Sequence, residues 1–120
     1  LVVAVVPQLD DPDFWDVFLL NLKEKPIRFV LVNSKGYGMV DGEERKTSTL
    51  RHFFEEIGPM QVVQIEPILA SLFDLAHEYW VSFLFENYLY DKKYVFVRGS
   101  IHADYFTMVP FVNRKGVMIR

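Results

Sequence analysis

The sequence predicts an α+β domain that is mainly antiparallel β, a sandwich or partly open barrel of about eight strands with one or two short helices. Three observations predict it. Aromatic and β-branched residues recur in short alternating runs, as strands with covered faces require. Glycine, proline and asparagine punctuate those runs. The third is an internal pseudo-repeat. The segments Phe14-Trp15-Asp16-Val17-Phe18-Leu19-Leu20 and Tyr79-Trp80-Val81-Ser82-Phe83-Leu84-Phe85, each with a β-branched segment after it, read as one aromatic-led hairpin written twice. Trp15 then falls on Trp80, Phe18 on Phe83 and Val30 on Val95.

A chain of 120 residues, 51% apolar and 24% charged, fits a single globular domain spanning 1–120 with a real core. Eleven Phe, six Tyr and two Trp exceed what a core of this size readily hides. The surplus points to a subunit interface or a binding groove. The net charge of −3 gives no electrostatic reason to expect DNA, RNA or an anionic membrane as partner. There is no cysteine, so disulfides and Cys-based metal sites are excluded, and a reducing cytoplasm is the simplest location. No apolar run approaches the roughly 20 residues that span a bilayer.

Element by element, residues 1–6 are a strand stopped by Pro7 rather than a signal peptide, since no basic segment precedes them. Asp10-Asp11-Pro12-Asp13 is a solvated connection. Strands follow at 14–22 and 27–33, with Trp15, Val17 and Leu19 on one face and Asp16, Phe18 and Leu20 on the other. Asn33-Ser34-Lys35-Gly36 predicts a turn, and Asp41-Gly42 a two-residue hairpin joining 37–40 to 43–46. Leu50, Phe53, Phe54 and Ile57 stand at i, i+3, i+4 and i+7 between Thr47-Ser48-Thr49 and Gly58-Pro59. That spacing predicts a helix over 48–57. A strand at 61–66 precedes a helical segment opened by Pro67. The second hairpin covers 78–86 and 89–98, an irregular or helical piece runs from Ser100 to Phe106, and strands at 108–112 and 117–119 close the chain.

Sites are scarce. His52, His77 and His102 lack the short spacing of metal ligands, so no metal is expected. Ser34-Lys35-Gly36-Tyr37-Gly38 has neither the order nor the following helix of a phosphate loop; it reads as a turn with an exposed Tyr37. No Gly-x-Ser-x-Gly elbow is present, no catalytic residue is assigned and no cofactor motif occurs. Asp16 stands among apolar neighbours, so it either lies at a sheet edge or pairs with a cation. Glu78, Ser82 and Glu86 call for partners such as Lys93, Arg98 or Arg28, as buried polar groups do. If a pocket lies between the sheets, Trp15, Asp16, Trp80, Glu86 and Tyr88 are its candidate ligand-binding residues.

Leu9-Asp10-Asp11-Pro12-Asp13-Phe14-Trp15, Ser34-Lys35-Gly36-Tyr37-Gly38, Glu78-Tyr79-Trp80-Val81-Ser82-Phe83 and Tyr90-Asp91-Lys92-Lys93-Tyr94 together resemble a family of small uncharacterised bacterial proteins, over nearly the whole chain. Some members carry a label relating them to the phenylalanyl-tRNA synthetase beta subunit. The resemblance implies no activity and no catalytic residues. The chain has no basic, aromatic-interleaved stripe suited to tRNA, so the label finds no footing in the residues. The function expected is that of a non-catalytic interaction or assembly module self-associating through aromatic β surface. The alternative is a small-molecule-binding protein or an enzyme with a pocket between its sheets.

Overall fold

The computed structural model describes residues 1–120. Ten strands fall into two antiparallel sheets. They are β1 (Val2–Pro7), β2 (Phe14–Asn21), β3 (Ile27–Val40), β4 (Glu43–Lys46), β5 (Leu50–Ile57), β6 (Gln61–Leu69), β7 (Ala76–Phe85), β8 (Tyr88–Phe96), β9 (Thr107–Val109) and β10 (Arg114–Ile119). The first sheet has the order β6-β2-β1-β10-β9. The second has the order β4-β3-β7-β8, with β5 also paired to β3. The only helical pieces are single 3-10 turns at Ala70–Leu72 and Ala103–Tyr105. No helix is long and apolar enough to cross a membrane. The sheets do not close into a barrel.

Alternation along each strand builds the core. Val3, Val5, Val17 and Leu19 of the first sheet meet Val30, Val32, Tyr79, Val81, Tyr94 and Phe96 of the second in one buried cluster. The intervening residues Val2, Ala4, Val6 and Leu20 face the other way. They form a smaller cluster with Val109, against which Phe18 and Val112 pack. The two faces expected for β2 are therefore present. Gly116 lets β10 lie tightly on β1: a Cβ there would meet the Val5 carbonyl oxygen at 2.5 Å.

Several expectations are corrected. The α+β class gives way to a mostly antiparallel β domain with almost no helix, and about eight strands become ten. The helix over 48–57 is strand β5. Its apolar spacing does not form one stripe, because Phe53 is exposed while Ile57 is buried. Pairing from Ile27↔Ile57 to Ser34↔Leu50 along β3 overrides local helical periodicity. Residues 33–36 do not turn; β3 runs straight through them, pairing Lys35 with Glu78 and Gly36 with His77. Pro67 continues β6 instead of opening a helix, and 108–112 shortens to β9. The Asp41-Gly42 hairpin forms as expected.

The pseudo-repeat does not survive as a repeated hairpin. β7 and β8 are paired from His77↔Phe96 to Phe85↔Tyr88, around Glu86 and Asn87 with φ of 50° and 70°. Both central residues in the left-handed region suit a tight two-residue hairpin. β2 and β3 are not paired at all; they belong to different sheets. Asn21 ends β2 fully buried, and its Nδ2 donates to the carbonyls of Lys25 (3.0 Å), Ile57 (3.2 Å) and Gly58 (3.0 Å). Its side chain thus holds the β2–β3 crossing against the β5–β6 crossing.

Candidate functional site

The five expected ligand-binding residues occupy four separate places. Trp15 faces the main core and packs edge-on against Phe73 at 5.1 Å and Phe106 at 5.5 Å. Asp16, on the opposite face of β2, is buried and accepts from Gln8 Nε2 (2.9 Å) and Gln64 Nε2 (3.0 Å). Arg114 Nη2 lies 3.4 Å from its other oxygen. Of the two outcomes expected for Asp16, pairing with a cation is the one found. Trp80 points outward from the second sheet under Lys93 Nζ, 4.9 Å from its ring. Glu86 and Tyr88 sit at the β7–β8 turn, where Glu86 pairs with Lys25 at 2.6 Å and Tyr88 is exposed. These residues share no pocket.

The polar residues of β7 form structural contacts. Glu78 lies buried between Lys35 Nζ and Lys93 Nζ, each at 3.7 Å, and Tyr37 Oη donates to it at 3.4 Å. Tyr37 is therefore tied down rather than free. Ser82 donates to Asp91. His102 Nδ1 accepts from the Asp104 amide and caps the turn at Ala103–Tyr105. No three His, Asp or Glu side chains converge as a metal site would need.

A cleft of about 290 Å³ opens instead at one end of the interlayer space. Phe14 of β2, Ser34 to Gly36 of β3, Glu66 to Leu69 of β6, and His77 and Tyr79 of β7 line it, with Thr47, Ser48, Leu50 and Leu72 at its sides. Glu66 reaches this space through a β-bulge. Val17 pairs with Glu66 but Phe18 with Gln64, so Ile65 is an extra residue on β6. Gln64 points outward to Asp16, whereas Ile65 joins the main core. The bulge shifts the alternation and turns Glu66 inward after Ile65.

The result is a carboxylate only 9% exposed, whose Oε1 receives no hydrogen bond. His52 Nε2, from β5, lies 3.8 Å away and is also buried without a partner. That separation exceeds hydrogen-bond range. Burial, and then the Glu66 charge, push the Tyr79 phenol well above its ordinary pKa, so it stays a neutral hydroxyl. His77 Nε2 donates to the Leu72 carbonyl at 2.8 Å and fixes the ring beside Gly36. A Cβ at Gly36 would lie 3.1 Å from Thr47 Cγ2 and 3.3 Å from His77 Cε1. Thr47 Oγ1 accepts the Gly36 amide at 2.7 Å, so glycine here lets the rim close around the imidazole.

Chemically the cleft offers a buried carboxylate facing His52, a neutral phenol and apolar walls. It has no nucleophile set against a base. Uninterrupted alternation along β6 puts Glu66 outside with Gln64, so the sequence alone does not single it out. The adjacent Pro67 was the one available signal, since proline inside a strand marks an edge or a bulge. No family model, curated protein or solved structure matches this chain.

Proposed function

We propose that this domain is a non-catalytic interaction and assembly module that self-associates through the open face of its second sheet. The supporting observation is an asymmetry between the two outer faces. On the first sheet, Val2, Ala4, Val6 and Leu20 are covered to 2% exposure or less. On the second, Phe53 remains 62% exposed, Trp80 43% and Leu89 82%, with Phe29 beside them at 55%. No element overlies them. Apolar area left open on one face of a sheet marks a contact surface.

Two cross-strand rows give that face a self-complementary pattern. One runs Arg51–Asn33–Trp80–Lys93, the other Phe53–Leu31–Ser82–Asp91. A two-fold axis between the rows lays the basic row of one copy over the row of a second copy that ends in Asp91. Lys93 then faces the second copy's Asp91, as an isologous contact requires. Sedimentation velocity tests this. The wild type should sediment as a dimer and Trp80→Glu with Phe53→Glu as a monomer of unchanged circular dichroism. A wild type that remains monomeric at the highest soluble concentration refutes the proposal.

A further inference from the structure

Resting on self-association through the second sheet, we propose that Phe29 is its anchor: a β-bulge in β3 holds the ring off the outer face, at a cost to the isolated domain, to meet Lys35 of a second copy.

Alternation along β3 explains why a bulge is there. Ile27 and Val30 are both wholly buried, with two residues between them where a regular strand has one. Arg28 pairs with Leu84 and Leu31 with Ser82, so Phe29 and Val30 together stand opposite Phe83. Phe29 takes the first bulge position, with φ of 49°. Glycine suits that left-handed position and a bulky side chain does not. The core needs the bulge; it does not need the ring.

The ring returns little to its own chain. Phe29 is more than half exposed, although β3 is flanked there by β5 on one side and β7 on the other. A side chain so placed can leave only through the outer face. An open aromatic ring and a left-handed backbone both weigh against the isolated domain, and such strain gathers where a contact uses it.

The two-fold axis that sets Lys93 over Asp91 also fixes what the ring meets. It carries the next row, Arg28–Leu84–Leu89, over the Lys35–Glu78–Val95 row of the second copy. Phe29, the extra residue beside Arg28, then lies over Lys35. The charge of Lys35 is already partnered, with Nζ 3.7 Å from Glu78, and a lysine stem is an apolar surface for a ring. The largely exposed Leu89 meets Val95 of the second copy at the same time. Phe111 supplies a control. It too is left-handed, with φ of 64°, and is exposed, but it sits in the β9–β10 turn at the edge of the first sheet.

Sedimentation velocity over a concentration series compares the wild type with Phe29→Gly, Phe29→Asn and Phe111→Gly, and each is melted after dilution to monomer. Phe29→Gly should weaken dimerisation at least tenfold, about 1.4 kcal/mol, while its monomer melts no lower than the wild type's. Phe29→Asn, which tolerates the same backbone, should do likewise and carries the test if the glycine variant does not fold. Phe111→Gly should dimerise as the wild type does. A wild-type dimer that Phe29→Gly leaves equally tight overturns the anchor and spares self-association. A Phe29→Gly monomer that melts below the wild type also overturns it, since the ring would then serve its own fold. So does equal weakening by Phe111→Gly. A wild type that stays monomeric removes anchor and self-association together.

Discussion

Replacing Asn21 with alanine should release both crossings between the sheets. The side chain is wholly buried; its Nδ2 serves the carbonyls of Lys25, Ile57 and Gly58, and its Oδ1 accepts from the Lys23 amide at 3.0 Å. Each net hydrogen bond contributes about 1 kcal/mol, and a buried carbonyl left without a donor costs about 1–3 kcal/mol. Two N–H groups shared among three carbonyls, one accepted amide and a stranded Ile57 carbonyl together come to roughly 3–5 kcal/mol. Domains hold together by about 5–15 kcal/mol, so a large fraction would go. At about 2.1 cal/mol/K of unfolding entropy per residue, the melting temperature should fall by about 12–20 °C. Urea unfolding followed by tryptophan fluorescence measures the change. Asn21→Asp keeps the shape and removes the donors, so it should be at least as damaging at neutral pH. It should partly recover in mild acid, where a protonated carboxyl can donate once. A loss below about 1 kcal/mol for Asn21→Ala, or a wild-type stability for Asn21→Asp, would show that the carbonyl contacts are not what holds the crossings.

Two further outcomes follow from single atoms. Gly116→Ala drives a Cβ to 2.5 Å from the Val5 carbonyl oxygen and 2.7 Å from Val6 Cγ2. Backbone cannot swing aside as a side chain can, so unfolding experiments should show a loss of about 1–3 kcal/mol or more. Tyr94 is 1% exposed, its hydroxyl has no partner, and burial pushes its pKa up to about 12. Tyr94→Phe should therefore match or exceed the wild type by up to about 1 kcal/mol at neutral pH. Because the folded pKa lies above the unfolded value of about 10, the unfolded chain ionises first and stability falls between about pH 10 and 12. Alkaline melts should show that fall in the wild type and a shallower one in Tyr94→Phe; equal slopes would remove the basis for it.

Short-range chemistry was the legible part of this chain. The Asp41-Gly42 turn, the two faces of β2 and the β7–β8 hairpin are set by residues a few positions apart. Distant pairing was not legible. Leu50, Phe53, Phe54 and Ile57 satisfy a helical spacing, and only their ladder along β3 shows why they are extended. The pseudo-repeat failed for the same reason: Trp15 and Trp80 head similar segments, but Asn21 sends one across to the other sheet while Glu86 and Asn87 fold the other back. Of the candidate residues, Asp16 was legible as a charge needing either a sheet edge or a cation, and Arg114 supplies the cation from about a hundred residues along the chain. Glu66 was hidden by one extra residue, Ile65, which reverses the side to which everything after it points.

The order of the first sheet has a consequence for synthesis. β1 lies between β2 and β10, with Val3 opposite both Leu19 and Ile119. As the chain leaves the ribosome, β2 can cover one side of β1 almost at once. The other side stays an unpaired edge until residues 114–119 emerge, after the other nine strands. Pairings so far apart in sequence are slow to form and leave strands open to wrong partners. The run Val2-Val3-Ala4-Val5-Val6 is thus the part of the molecule most in need of protection while it waits. Without β10, the edge of β1 that pairs with it would stay open.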